Sequence, residues 1–340
     1  MYLIIGGAGF LGSYLVKAIH ALTSESVVAT TRAAALPPDT PRLKWRSCDV
    51  ADFDSVRALL SGLPKHEAVK IFYLAATHHP DQVEAAPQEA WEVNVTALSR
   101  CLNALPSSAR LCYASTDCIY GESAAQEQLS EDSLQRPLNT YGRHKCAADA
   151  LCRFAGHTAL RYPFLIGPSL VAGRPHFYDR IASDLQADRP VDMLSDSLRS
   201  ALTFAQAASL SVRLMELPGP LPPAINVCAD QALSKYDIGL MIATTLGVPT
   251  QLVRPVTYAD SAALFAPTSA QSDRTAVPRA RSTVMSNALL RKILEAEAIK
   301  LSFTPPIQIY LVVNKNIYVK LHRLKLSRPP TLCAALPAAA

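Results

Sequence analysis

Short apolar runs alternate with amphipathic segments over about the first 165 residues of the chain. The short runs predict buried strands, whereas apolar residues that recur every three or four positions predict helices. Strands are expected at residues 2–5, 27–31, 43–48, 71–75, 111–115 and 158–162, and helices at 10–22, 53–60, 90–105 and 141–156. Such alternation is typical of a parallel sheet with helices on both faces. We therefore expect an α/β fold built on a Rossmann-type, doubly wound parallel sheet.

The alternation loosens beyond Gly167, where we expect a smaller C-terminal α/β lobe. Ser234 followed by Asp237 resembles a capping box, which would open a helix that Gly247 can end. Residues 257–283 are polar with little periodicity and predict a long loop, whereas residues 307–313 resemble a strand. The predicted division is a cofactor-binding Rossmann domain at 1–167, a substrate-binding lobe at 168–300 and an atypical basic tail at 301–340.

A glycine-rich segment, GGAGFLG at residues 6–12, follows the first predicted strand and precedes the first predicted helix. Glycines permit the tight turn, the close approach of a pyrophosphate and the packing of helix on strand. The pyrophosphate would then lie on free N–H groups at the helix N-terminus. This context predicts a dinucleotide site rather than a tight turn without a ligand, formed by Gly6, Gly9, Phe10, Leu11 and Gly12.

The end of the second predicted strand bears on the choice between NAD and NADP. An acidic residue there would bond the ribose 2′-hydroxyl of NAD. This chain has Thr31 and Arg32 instead, and a guanidinium beside a hydroxyl suits the 2′-phosphate of NADP. We therefore favour NADP, with NAD as the alternative and with Arg32 as an ordinary surface residue in that case.

Carbonyl chemistry is predicted by Thr116, Tyr141 and Lys145. Tyr141 and Lys145 are four positions apart and share one helical face, and Thr116 ends the strand before that helix. A nearby ammonium lowers the pKa of a phenol, which would bring Tyr141 closer to the working range of an acid or base. Thr116 could bond the carbonyl oxygen of a substrate. A tyrosine and a lysine at this spacing also occur by chance, but the upstream glycine-rich loop favours the catalytic interpretation.

These motifs together resemble an extended short-chain dehydrogenase/reductase. The chain is most similar to the branch that contains the dTDP-4-dehydrorhamnose reductases and the regulatory beta subunit of methionine adenosyltransferase. The resemblance covers about residues 1–290, with weaker matches at 234–237 and 278–279. Its main motifs lie at 6–12, 75–76, 79–84 (HPDQVE), 94–95, 115–121 (STDCIYG), 137–145 (PLNTYGRHK) and 161–163 (RYP).

The resemblance implies a role for further residues. Asp117 would support the acid step of a Thr116/Tyr141/Lys145 triad, and Lys145 would also bond the nicotinamide ribose. The other residues that the resemblance assigns to the cofactor are Asp49 and Val50 along the adenine, Ala75 and Ala76 beneath the cofactor, Asn94, and Tyr162, Phe164 and Leu165 beside the nicotinamide. In such enzymes the second lobe binds a nucleotide-linked sugar. The chain departs from this pattern at Ala207, where many relatives have Asp, and beyond about residue 295.

Candidate substrate contacts are fewer. His78 follows the fourth predicted strand, close to where a substrate would enter, although an exposed loop histidine is an equal alternative. Arg174 and Arg199 could bind the diphosphate of a sugar nucleotide, or form surface salt bridges. His144 lies off the helical face of Tyr141, and Cys118 fits a buried structural thiol better than a redox-sensitive one.

Composition excludes several other classes. The five basic residues of segment 301–340 account for the whole net charge of +5, so residues 1–300 are close to neutral and nucleic-acid binding is not expected. No apolar run is long enough for a membrane span, and the first strand starts directly after Met1, so we expect a cytoplasmic protein without a leader. The eight cysteines and the pair His78 and His79 lack disulfide or metal-ligand spacing, and no metal site is expected.

Three functions remain open from the sequence. The first is an NADP-dependent reductase of a nucleotide-activated keto-sugar, which the complete triad favours. The second is a cofactor-binding regulatory subunit whose partner is the catalytic subunit of methionine adenosyltransferase. The third is an epimerase or dehydratase that uses tightly held NAD. A homodimer is compatible with all three.

Overall fold

The computed structural model describes residues 1–64, 68–124, 127–260 and 277–296. The strands are β1 (Tyr2–Ile5), β2 (Val27–Thr31), β3 (Leu43–Ser47), β4 (Lys70–Tyr73), β5 (Arg110–Thr116), β6 (Thr158–Tyr162), β7 (Leu165–Ile166), β8 (Val191–Leu194), β9 (Leu198–Arg199), β10 (Leu202–Thr203), β11 (Ala224–Asn226), β12 (Leu233–Ser234) and β13 (Val253–Val256). The α-helices are α1 (Phe10–Leu22), α2 (Phe53–Ser61), α3 (Pro80–Ala85), α4 (Pro87–Trp91), α5 (Ala97–Ala104), α6 (Thr140–Phe154), α7 (Phe177–Gln186), α8 (Phe204–Glu216), α9 (Lys235–Leu246) and α10 (Ala288–Ala296).

Seven strands form a parallel sheet in the order β11-β6-β5-β4-β1-β2-β3. The chain builds outward from β1 to β3 and then returns to place β4 on the other side of β1. This reversal is the topological switch point at which doubly wound sheets bind ligands. The predicted Rossmann-type, doubly wound parallel sheet is therefore confirmed.

Both faces of the sheet are covered, because alternate side chains of each strand point to opposite sides. Tyr2 and Ile4 join a cluster that contains residues of α1, α8 and α10. Leu3 and Ile5 join a second cluster with residues of α2, α5 and α6. All four β1 residues are fully buried, which explains why the sequence of this strand is a continuous apolar run.

A third apolar cluster lies in the C-terminal part of the chain. It joins α7, α9, β8 and β13, with Leu185, Ile238 and Ile242 fully buried or nearly so. Short two-stranded pairings link β8 with β13, β7 with β10 and β9 with β12. The central sheet takes its edge strand β11 from beyond residue 167, and α8 packs against α1. The division into domains at residue 167 stays a prediction.

The capping signals act as the sequence predicts. The Ser234 hydroxyl accepts a hydrogen bond from the Asp237 amide at 3.0 Å, and the Asp237 carboxylate accepts from the Ser234 amide at 2.8 Å. Gly247 ends α9 with φ of +69°, a left-handed conformation that glycine adopts readily. Cys48, Cys101, Cys112, Cys118, Cys146, Cys152 and Cys228 are free thiols. Across the described ranges, no helix has both the length and the apolar character needed to cross a bilayer.

One predicted helix differs in its interior. Residues 90–105 were expected to form one regular helix, but the wider turns of a π-helix occupy Glu92–Thr96 between α4 and α5. Most other boundaries agree within one or two residues. The strand-like run at 307–313 and the whole tail at 301–340 lie outside the described residues, as does most of the predicted loop at 257–283.

Candidate active site

A cavity of about 1060 Å³ opens at the carboxyl ends of the sheet strands. Of the predicted site residues, which all lie in the described ranges, only Asp49 and Asn94 are outside its lining. The predicted residues that line it are Gly6, Gly9, Phe10, Leu11, Gly12, Thr31, Arg32, Val50, Ala75, Ala76, His78, Thr116, Asp117, Tyr141, Lys145, Tyr162, Phe164, Leu165, Arg174 and Arg199. One cavity thus brings together the glycine-rich loop, the triad and the candidate substrate contacts.

The glycine-rich loop is shaped by contacts that only glycine tolerates. Gly6 has φ of +89° and donates its amide to the Thr30 hydroxyl at 2.9 Å. A Cβ on Gly12 would lie 2.5 Å from the Gly7 carbonyl oxygen, closer than real Cβ contacts. The first hydrogen bond of α1 runs from the Ser13 amide to the Gly9 carbonyl at 3.0 Å. The three preceding N–H groups at the helix N-terminus are therefore available to an anion, and this loop fits a dinucleotide diphosphate.

The end of β2 places a cation and a hydroxyl at the cavity. Arg32 is exposed and lines the cavity, while the buried Thr31 hydroxyl accepts the Ala33 amide at 3.1 Å. Asp49, which the resemblance placed along the adenine, accepts the Ala51 amide at 3.0 Å and lies outside the cavity lining, so its cofactor role stays a prediction. Its neighbours Cys48 and Val50 line the cavity.

Asn94 supports the cavity wall instead of lining it. The π-helical turn carries Asn94, whose side-chain oxygen accepts the Thr77 amide at 2.8 Å and whose amide group donates to the Thr77 carbonyl at 3.0 Å. Asn94 is 1% exposed, and Thr77 itself lines the cavity. The residue therefore fixes the loop that follows β4.

Tyr141 and Lys145 are positioned by the start of α6. The Asn139 side chain caps this helix by accepting the Gly142 amide at 2.9 Å. The Lys145 ammonium donates to the Tyr113 hydroxyl at 2.9 Å and to the Ala114 carbonyl at 2.6 Å. These bonds direct the lysine toward the end of β5, beside the cavity.

Burial reverses the direction expected for the pKa of the tyrosine. Burial raises the pKa of Tyr141 above its ordinary value, and Cys118 and Asp117 raise it further. Burial also lowers the pKa of Lys145 to about 7. The positive charge of Lys145 favours the phenolate, but removal from water disfavours the charged form of both groups. Burial therefore favours the protonated form of the Tyr141 phenol.

Thr116 and Asp117 form a small polar cluster with Arg199. The Thr116 hydroxyl donates to Asp117 Oδ1 at 3.0 Å, and Arg199 Nε lies 3.5 Å from Asp117 Oδ2. Burial raises the pKa of Asp117 and the guanidinium of Arg199 opposes this shift. Burial raises the pKa of Cys118 to about 12, which fits a structural thiol. Arg199 thus forms an ion pair with Asp117 and stabilises the ionised carboxylate.

The two remaining substrate candidates, His78 and Arg174, also line the cavity. Burial, with the charges of neighbouring cations, lowers the pKa of His78 to about 4, so that its ring is neutral near pH 7. The His78 and His79 rings are 4.3 Å apart between centroids. The Arg174 guanidinium lies 5.4 Å from the centroid of the Phe10 ring, at the start of α1. Arg174 is therefore close to the glycine-rich loop as well as to the cavity.

A buried ion pair next to the triad was not predicted from the sequence. Asp149 lies one helical turn after Lys145 and is fully buried, and it accepts hydrogen bonds from Arg161 at 3.0 Å. The Ser115 hydroxyl, next to Thr116, donates to the same carboxylate at 2.8 Å. A charged residue inside the apolar run at 158–162 was the signal that could have indicated this pair. Lys235, which also lines the cavity, was noted only within a motif.

Comparison with known proteins places this site in a family. Residues 2–228 match the model of the NAD dependent epimerase/dehydratase family. The chain is 25% identical over 283 residues to methionine adenosyltransferase 2 subunit beta of Rattus norvegicus. This match covers 80% of this chain and 79% of that protein.

Two solved structures show the same fold. A dTDP-4-dehydrorhamnose reductase from Bacillus anthracis in complex with NADP has a TM-score of 0.67 at 17% identity, over 86% of this chain and 92% of that one. A UDP-glucuronic acid 4-epimerase from Bacillus cereus in complex with UDP-glucuronic acid and NAD has a TM-score of 0.68 at 19% identity, over the same shares. The resemblance to extended short-chain dehydrogenases/reductases is confirmed, and the chain belongs to the NAD dependent epimerase/dehydratase family.

Proposed function

We propose that this protein is an NADP-dependent reductase of a nucleotide-activated keto-sugar. The observation that carries the proposal is that Thr116, Tyr141 and Lys145 line the same cavity as the glycine-rich loop. Arg32 at the end of β2 favours NADP over NAD. Arg174 and Arg180, which also line the cavity, suit a substrate that carries a diphosphate.

The proposed reaction adds one hydride and one proton to a carbonyl group. When bound, the nicotinamide cofactor supplies the hydride that forms the new C–H bond. Tyr141 gives its hydroxyl proton to the carbonyl oxygen, which receives the electron pair of the broken C=O π bond. Burial keeps Tyr141 protonated before this step, and solvent replaces the proton afterwards. Thr116 can donate a second hydrogen bond to the same oxygen.

Lys145 acts on the other side of the tyrosine. Its ammonium, held by the Tyr113 hydroxyl and the Ala114 carbonyl, can stabilise the phenolate that Tyr141 becomes. With a pKa of about 7 the lysine is about half protonated at neutral pH. The rate should therefore depend on pH near neutrality.

The direct test is NADPH oxidation with a panel of dTDP- and UDP-linked 4-keto sugars. Tyr141→Phe removes the proton donor and should lower kcat by about 100-fold or more while NADPH still binds. Tyr236→Phe is the matched control, because Tyr236 does not line the cavity. Removal of the Tyr236 hydroxyl should leave kcat unchanged. An undiminished rate in Tyr141→Phe would contradict the proposed mechanism.

A second candidate function is supported by a specific comparison. The similarity to methionine adenosyltransferase 2 subunit beta extends over 80% of this chain, including the C-terminal part. A regulatory subunit would use the same cofactor site without turnover. Co-migration with the catalytic subunit of methionine adenosyltransferase in size-exclusion chromatography, with a changed synthetase rate, would favour it. Absence of association at micromolar concentrations would argue against it.

A further inference from the structure

A buried tyrosine of the central sheet, Tyr113, contacts the side chain of Lys145. It lies on β5 and is 1% exposed. The Lys145 ammonium donates to the Tyr113 hydroxyl at 2.9 Å and lies 4.5 Å from the centroid of the Tyr113 ring. The Ala114 carbonyl accepts a second hydrogen bond from the same ammonium at 2.6 Å. These two bonds fix the lysine at the end of β5, in the wall that Tyr141 also lines.

The Tyr113 hydroxyl can bond Lys145 whether or not the lysine is charged. Burial raises the pKa of Tyr113 well above its ordinary value, and the neighbouring Tyr141 raises it further, so the hydroxyl keeps its proton. A charged lysine has three N–H donors, and the Tyr113 oxygen accepts one of them. A neutral amine has a lone pair, which can accept the Tyr113 proton once the hydroxyl rotates. Neither state therefore leaves the buried lysine nitrogen without this partner.

The charged form of Lys145 gains more from this contact than the neutral form does. A hydrogen bond from an ammonium is charge-assisted and stronger than one between neutral groups. Asp149 on the same helix and Cys118 after β5 also favour the ammonium, whereas burial opposes it and lowers the pKa of Lys145 to about 7. His78, after β4, is neutral near pH 7 because its pKa is lowered to about 4. Removal of the Tyr113 hydroxyl should therefore favour the neutral amine.

We propose that Tyr113 is a positioning residue whose hydroxyl serves both protonation states of Lys145 during the reaction. The inference rests on the proposed function, because it is in that reaction that Lys145 supports Tyr141. Tyr113 holds the lysine nitrogen in one place and favours its charged form. The charged form is the one that stabilises the phenolate of Tyr141. Tyr113 itself touches neither the substrate nor the cofactor in this proposal and acts through the lysine.

Tyr73 on β4 provides a matched control. It is the register partner of Tyr113 on the neighbouring strand, and the two ring centroids are 6.3 Å apart. Both residues are buried in the same apolar cluster. Within the described ranges the Tyr73 hydroxyl has no hydrogen-bond partner, and Tyr73 does not line the cavity. Tyr73→Phe and Tyr113→Phe thus remove the same atom from the same layer of the core, but only Tyr113→Phe removes a contact with Lys145.

The first measurement follows the charge of Lys145 without turnover. NMR of the full chain labelled with ¹³C at lysine Cε gives the titration midpoint, and the Lys145 resonance is identified by its absence in Lys145→Met. The wild-type midpoint should lie at about pH 7. In Tyr113→Phe it should fall by about one pH unit, whereas Tyr73→Phe should titrate like wild type. An unchanged or raised midpoint in Tyr113→Phe, or the same fall in both variants, would overturn the proposal.

The second measurement is the pH dependence of kcat/KM for NADPH oxidation with a keto-sugar. Because the rate should follow the charged fraction of Lys145, wild type should exceed Tyr113→Phe by about 2-fold at pH 6, about 5-fold at pH 7 and about 9-fold at pH 8. A purely structural defect would lower the rate by one factor at every pH, and such a constant ratio would overturn the proposal.

Two further outcomes have a defined meaning. A Tyr113→Phe chain that does not fold, while Tyr73→Phe does, would assign the hydroxyl to the fold and would overturn the proposal. A wild-type chain that reduces no keto-sugar would be a failure of the proposed function. The NMR midpoints need no substrate, so they still decide whether the Tyr113 hydroxyl controls the charge of Lys145.

Discussion

The ion pair behind the triad provides a quantitative test of how the site is supported. Asp149 is 0% exposed and Arg161 is 1% exposed. The carboxylate accepts two hydrogen bonds from Arg161, one from Ser115 and one from Arg153. Asp149→Asn keeps the shape of the side chain and removes its charge. Arg161 would retain its bonds to the Tyr120 hydroxyl and the Glu131 carbonyl, both at 2.8 Å, but no carboxylate.

The expected loss is large because a buried guanidinium is left without a counter-charge. Removing one partner of a buried ion pair costs about 3–5 kcal/mol of the free energy of unfolding. With an m-value of about 3 kcal/mol/M, this lowers the urea midpoint by about 1–1.7 M. Asp149→Asn combined with Arg161→Met removes both charges. The double variant should be more stable than the sum of the single effects predicts, by about 2 kcal/mol.

The chain offers a matched pair at the surface. Arg254 Nε lies 2.8 Å from Asp192 Oδ1, with side-chain exposures of 58% and 36%. Asp192→Asn removes the same type of contact in water and should cost less than about 1 kcal/mol. Urea unfolding followed by circular dichroism measures the three single variants, Asp149→Asn, Arg161→Met and Asp192→Asn, and the double variant. Equal losses in Asp149→Asn and Asp192→Asn, or additive effects in the double variant, would refute the argument from burial.

Three further predictions concern the site. Arg32→Ala should weaken NADPH binding by about 10-fold and leave NADH binding nearly unchanged, and an equal loss for both would refute the assignment of the 2′-phosphate. Gly12→Ala places a Cβ 2.5 Å from the Gly7 carbonyl and should abolish NADPH binding, whereas Gly62→Ala, whose nearest contact is 3.5 Å, should not; normal binding in Gly12→Ala would contradict the loop geometry. Between about pH 7 and the ordinary lysine pKa of 10.5, the unfolded chain holds a proton on Lys145 that the folded chain has released, so stability should rise with pH there. This rise should shrink in Lys145→Met, and an identical pH profile in unfolding experiments would count against the lowered pKa.

The cofactor half of the site was predictable because its determinants are local. The turn after β1 needs glycine at positions 6 and 12 because a Cβ there would be strained or too close to the backbone. The glycine pattern that meets this need is visible in the sequence. The spacing of Tyr141 and Lys145 likewise follows from the pitch of one helix. Two short, separate segments of sequence therefore indicated the cofactor loop and the candidate catalytic pair.

The features that were not predicted depend on contacts between distant segments. Asn94 lies in a π-helical turn, and its side chain forms hydrogen bonds with the backbone of Thr77. Regular helical periodicity does not reveal this turn. The direction of the pKa shift of Tyr141 depends on burial, which a helical spacing cannot reveal. Lys235 reaches the cavity from α9, far along the chain from the triad. Long-range packing decided each of these outcomes.

The central claim is that the loop between β1 and α1 holds a dinucleotide beside Tyr141. Calorimetric titration of the folded wild-type chain with NADPH tests it most directly. The account predicts saturable binding of one NADPH per chain, tighter than the binding of NADH. Absence of binding for both dinucleotides would contradict the account.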